Sequence, residues 1–234
     1  MWKPISALIA TFLSLFGHAP AAATHANIHP VTPGTNKAYK VVAIGGSAAL
    51  GWDDAKSEGG YLARAFREVN AKENTDYHFV NESHEAFGPI QYTSRMSSLL
   101  KTNKPNMVVI SFGMLNDSYK KTPITQIKKS VYKEIAMSLN HCASVVIVTP
   151  ASTYASYTYN KTQVWQYIDA ELAVAKSFHN PNIHIIDLLT QEDNYIASHG
   201  GNIKAYEADS WHPNAAGHAL AGNLLAQDME NMFF

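Results

Sequence analysis

Five short apolar runs alternate with segments of helical periodicity along this chain, and that alternation constrains the fold more than any other feature. The runs cover residues 41–44, 77–81, 107–112, 144–149 and 182–187, and each stops at a glycine, a proline or a polar cluster. Runs this short, with few charges inside them, read as strands buried on both faces. Between them, Tyr61, Leu62, Ala65, Phe66 and Val69 predict a helix over 61–72, and a second helix is expected over 90–102. Ile127, Val131, Ile135 and Leu139 recur every four residues behind Pro123, and Val164, Ile168, Leu172 and Ala175 mark another helix. The last helix is expected from about residue 213 to 229, and the stretch between the fifth run and residue 209 reads as irregular.

Strict alternation of strand and helix predicts an α/β protein. Right-handed crossovers then make a flavodoxin-like three-layer α/β/α sandwich around a five-stranded parallel sheet. A chain of 234 residues suits one such domain, here 38–234, and no internal repeat or low-complexity tract interrupts it. A net charge of -1 gives no electrostatic reason to expect nucleic acid or an anionic membrane as partner. The single cysteine, Cys142, excludes an intrachain disulfide and, placed before an apolar run, reads as a buried, inert thiol.

The N-terminus is read separately. One lysine precedes a nearly uninterrupted apolar stretch over 5–17, and the small residues of 19–23 follow. This is the anatomy of a secretory signal peptide over 1–23, cleaved after Ala23 or, in the alternative, after Ala26. The apolar stretch is short for a membrane span, although a retained anchor is the competing reading. Residues 24–37, with Pro30, Pro33 and Gly34, form a loose leader. The mature protein is therefore expected outside the cytoplasm, secreted or at the cell surface, with no stable membrane span.

In an open α/β sheet the ligand lies outside the carboxyl ends of the strands. The first run breaks into Gly45-Gly46 and then Ser47, a place that suits a nucleophile or an ordinary turn serine. The dinucleotide-loop pattern fails at Ser47 and Leu50, no G-K-[ST] is present, and the α/β-hydrolase elbow fails at Ala49. A loop ending at Gly88 follows the second run, and Gly113-Met-Leu-Asn116-Asp117 follows the third. Asp209-Ser-Trp-His212-Pro213 comes near the C-terminus. A carboxylate three residues before a histidine can take its Nδ1–H, leaving Nε2 free to accept a proton from Ser47. Asp209 could equally cap the last helix, and Asn116 could be a turn residue. On chemistry alone His84 and His218 are no less interesting than His212. The joint occurrence of these groups at successive strand ends favours the catalytic reading.

These blocks, in this order and at this wide spacing, resemble those of the SGNH (GDSL) hydrolases over about residues 38–230. The resemblance implies Ser47 as nucleophile, His212 as general base and then acid, and Asp209 as its orienter. It implies an oxyanion hole of the Ser47 amide, a glycine amide assigned to Gly88, and the Asn116 side chain. No metal or organic cofactor is implied. Two features depart from the family pattern. Gly46 stands where an acid usually precedes the serine, and Ser83 stands where the second block usually has its first glycine.

The expected activity is hydrolysis of small acyl esters, acetyl or short-chain, through an acyl-enzyme. The substrate would be a small ester or an acylated sugar or lipid. Trp52, Tyr154, Tyr157, Tyr159 and Trp211 fall on or beside site-facing loops, where they could stack on a sugar, line an acyl pocket, or simply pack. Two other functions fit the same blocks: acyl transfer to an envelope glycan, and a non-catalytic envelope carbohydrate-binding protein of the same fold.

Overall fold

The computed structural model describes residues 39–234. The expected signal peptide over 1–23 and the leader over 24–37 lie outside the described residues. The sheet contains β1 (Tyr39–Gly45), β2 (Tyr77–Asn81), β3 (Met107–Ser111), β4 (Ser144–Val148) and β5 (Ile183–Ile186). All are parallel, in the order β2-β1-β3-β4-β5. The chain moves outward from β1 to β2 on one side and to β3 on the other. The crevice where ligands settle in such sheets therefore opens between the ends of β1 and β3.

The helices are α1 (Ser47–Leu50), α2 (Gly60–Glu73), α3 (Pro89–Thr93), α4 (Met96–Asn103), α5 (Leu115–Lys120) and α6 (Ile124–Asn140). They continue with α7 (Tyr154–Tyr157), α8 (Lys161–Ser177), α9 (Leu188–Ser198) and α10 (Ala215–Phe233), with a 3₁₀ turn at Ile203–Ala205 before the last. Strand side chains alternate between two cores, as the period of two requires. Val42, Ile44, Val108, Ile110, Val145 and Ile147 face α4, α6 and α8. Val41, Ala43, Met107, Val109, Val146 and Val148 face α2 and α10. Both faces of the sheet are thus sealed by apolar surface, the term that drives folding.

Four features differ from the sequence reading. The helix expected over 90–102 is two helices broken at Ser94 and Arg95; buried Tyr92, Met96, Leu99 and Leu100 keep helical spacing across the break, which is why the sequence reads as one. The stretch after β5 is not irregular: α9 occupies it. The last helix starts at Ala215 rather than 213. Cys142 is exposed, not buried. It sits at φ 59 in the tight turn between α6 and β4, one residue short of the buried run. No helix among the described residues is long and apolar enough to cross a membrane.

Candidate active site

β1 ends at Gly45, opposite Ser111 of β3. A Cβ on Gly45 would lie 2.3 Å from the Ser111 carbonyl oxygen and 2.5 Å from the Ala49 Cβ. Only glycine fits there, and its absence of side chain lets α1 turn off hard against the sheet. Gly46 caps α1 in an extended conformation, so Ser47 is the first helical residue and its N–H has no acceptor one turn earlier. Ser47 enters a cleft lined by Asn116, Thr153, Ser156, Trp211 and His212, among others.

Ser47 Oγ lies 2.9 Å from His212 Nε2 across 165 positions of sequence. His212 Nδ1 lies 2.9 Å from Asp209 Oδ2 and 3.0 Å from Oδ1. The arrangement fixes one tautomer: Nδ1–H donates to the carboxylate, and Nε2 accepts from the serine hydroxyl. Asp209 Oδ1 also accepts the Trp211 and His212 N–H groups, at 2.7 and 2.9 Å. Asp209 therefore organises its own loop and does not cap α10. Asn214 does that, accepting the Ala216 and Gly217 N–H groups. Partial burial pushes the Asp209 carboxyl up, but the hydrogen bonds from His212 and Trp211 outweigh it and hold the group below the ordinary carboxylate range.

Asn116 stands on the first turn of α5 and lines the cleft, its side chain hydrogen-bonded to no other described residue. Met114 precedes it at φ 57, in the left-handed region. Backbone held this way in a non-glycine residue is costly and concentrates at functional sites. Gly88 is placed differently from the sequence reading. Its N–H donates to Gln91 Oε1 at 2.9 Å, as the cap of α3, and it does not line the cleft. Its glycine character is set by Asp117, whose Oδ2 would lie 2.3 Å from an added Cβ. Asp117 is buried, which pushes its carboxyl up against the lowering effect of a hydrogen bond with Thr122.

The aromatic residues separate into two groups. Trp211 lines the cleft, and Trp52 stacks on His212 from outside it. Tyr154 and Tyr157 do not line the cleft. The Tyr154 ring packs near Tyr159 and Lys204, and Tyr157 beside Lys161. Positions three apart share a helix face, and the face of α7 turned to the cleft carries Thr153 and Ser156 instead. Phe87, Met114 and Leu115 also line it. Met114 and Leu115 had a signal in the sequence, their position just beyond the end of β3, whereas Phe87 lies six residues past β2. Asp53, Asp209 and His212 bring ligand atoms within 4.8 Å of one another, so a cation could sit there only by competing for the His212–Asp209 contact.

The sequence profile of the GDSL-like Lipase/Acylhydrolase family matches residues 43–220, from β1 into α10, and so takes in every one of these groups. The chain belongs to this family. GDSL-like lipases and acylhydrolases hydrolyse esters, and this protein is an ester-hydrolysing enzyme. Three solved structures share the fold of this GDSL-like chain. TesA has 19% identity and a TM-score of 0.65, covering 82% of this chain and 98% of its own. The lipase/acylhydrolase from Enterococcus faecalis has 18% identity and a TM-score of 0.65, covering 82% and 95%. Axe2, an acetylxylan esterase from Geobacillus stearothermophilus, has 16% identity and a TM-score of 0.67, covering 85% and 96%. At these identities the likeness is one of fold. No curated protein matches the chain.

Proposed function

We propose that the protein is a secreted serine esterase that cleaves small acyl esters through an acyl-enzyme. One observation carries the reading: Ser47 Oγ, His212 Nε2 and the Asp209 carboxylate form a continuous chain of contacts of 2.9 Å each. Ser47 Oγ attacks the ester carbonyl while His212 Nε2 takes its proton. The imidazolium, steadied by Asp209, returns that proton to the departing alkoxide. Water then attacks the acyl-serine, with His212 again as base. The negative charge on the tetrahedral oxygen is met by the Ser47 N–H and the Asn116 side-chain amide. Gly88 N–H joins them only if Gln91 gives up its hydrogen bond.

Small acyl groups suit a cleft whose lining includes the buried Met114, Leu115, Pro150 and Ala151. The acetylxylan esterase among the fold relatives agrees with an acetyl group but does not define the alcohol. Treatment with an organophosphate tests the reading. It should stop hydrolysis of p-nitrophenyl acetate and add one phosphoryl adduct, mapped to Ser47. Full inhibition with the adduct elsewhere, or none, overturns it.

A further inference from the structure

His218 is fully buried on α10, six residues beyond His212, and takes no part in the proposed chemistry. Both its nitrogens are engaged. Nε2 lies 2.8 Å from the Trp52 carbonyl oxygen, and Nδ1 lies 3.2 Å from the Tyr61 N. A carbonyl can only accept and a backbone N–H can only donate. The ring must therefore be neutral, with its hydrogen on Nε2. Tyr61 stands in the first turn of α2, where N–H groups lack helical acceptors, so His218 also satisfies one of those.

The Trp52 peptide is held from both sides. Its N–H donates to the Ser47 carbonyl at 3.0 Å, and its carbonyl accepts from His218. Its indole stacks on His212, with ring centroids 5.7 Å apart. His218 thus joins the segment bearing Ser47 to the helix that follows His212. We propose that His218 is a positioning residue for the reaction: as a neutral imidazole it pins the Trp52 turn against His212 and keeps Ser47 and His212 in register. This rests on the serine-esterase reading above.

Protonation undoes the arrangement. A second hydrogen, on Nδ1, would face the Tyr61 N–H, and a charge would enter a sealed site. The groups facing His218 are Asp54, Asp53, Arg64 and the stacked Tyr61 ring. Burial pushes the imidazole down, against the raising effects of the Trp52 carbonyl and the two aspartates, and Arg64 pushes it further down. Asp54 is itself occupied by Arg64 and by the Ala55 and Gly60 N–H groups. His218 therefore stays neutral through the ordinary imidazole range and titrates below it.

The test uses His218→Phe, which keeps the ring volume, and His218→Gln, which keeps a donor and an acceptor. Hydrolysis of p-nitrophenyl acetate is followed against pH, with Ser47→Ala alongside. A small displacement of reacting groups can cost ~10²-fold, so His218→Phe should lose about 10- to 100-fold in kcat with KM little changed, and His218→Gln should recover most of it. A single protonation gives an acid limb of unit slope. The wild type should steepen toward a slope of two at the acid end, and His218→Gln should keep unit slope throughout. If His218→Phe does not fold, the slope comparison with His218→Gln decides alone. Wild-type kcat in both variants, or the same acid limb in wild type and His218→Gln, overturns the proposal. Activity surviving in Ser47→Ala would instead overturn the esterase reading.

Discussion

The indole of Trp52 lies stacked on the imidazole of His212, with centroids 5.7 Å apart and planes 29° from parallel. The ring is 38% exposed and forms no part of the cleft wall. Its one ring contact among the described residues is with the His212 imidazole. Aromatic pairs contribute about 0.5–1.5 kcal/mol beyond burial, so Trp52→Ala should lower kcat by roughly 3- to 10-fold at nearly constant KM. Trp52→Phe should restore most of the loss. A raised KM with unchanged kcat would place Trp52 in the substrate pocket after all.

Asn116 has an amide with no described partner and a place on the cleft wall. If it donates to the developing oxyanion, Asn116→Ala should cost about 10²–10³ in kcat with little change in KM. A folded variant with wild-type kcat would leave Asn116 a turn residue.

Glu192 is buried, with its carboxyl pushed up to about 8 by burial and by the Asp193 charge, against the lowering effect of the Ser152 N–H. In the unfolded chain it ionises in the ordinary carboxylate range. Between those two pH values the unfolded state has shed a proton that the folded state keeps, so stability falls as pH rises toward 8. Glu192→Gln retains an acceptor for the Ser152 N–H, made at 2.7 Å. The stability of this variant relative to wild type should grow by about 1.4 kcal/mol per pH unit between pH ~5 and ~8. Denaturant melts at a series of pH values measure it. A difference that does not change with pH would mean that Glu192 is already ionised in the folded protein. Burial pushes Glu134 and Glu171 well up too, with the same sign.

The strands were legible because β1, β3 and β4 are runs buried on both faces and the half-buried edge strands β2 and β5 keep the same short span, and the cleft because most of its groups follow strand ends. α9 was not legible. Its inward positions, Leu188, Leu189, Glu192, Asp193 and Ile196, keep helical spacing, but two of them are acids, and the apolar period disappears. Glu192 and Asp193 are spent on the backbone and hydroxyl of Ser152, beside the cleft, a partnership invisible from either segment alone. Trp211 lines the cleft while Tyr154 and Tyr157 do not, for a related reason. Tyrosines dominate the composition of 154–159, yet the turn of α7 presents Thr153 and Ser156 to the cleft. Composition cannot supply that phase. At the loop before Asn116 the left-handed backbone falls on Met114 and not on the neighbouring Gly113.

If the apolar stretch over 5–17 and Ala21-Ala-Ala23 act as a cleaved signal peptide, the mature protein begins at Thr24 or Asn27. N-terminal sequencing of material from the medium or cell surface should return one of those residues. Met1 would reject processing.

In the proposed mechanism Ser47 and His212 act as one unit, and kcat of the double variant beside the two single ones reports whether they do. Ser47→Ala and His212→Ala should each remove about 10⁴–10⁶ of kcat, because either change breaks the same proton transfer. The double variant should then lose hardly more than either single one. Losses that multiply in the double variant, or a Ser47→Ala enzyme that keeps its full rate, would contradict the claim.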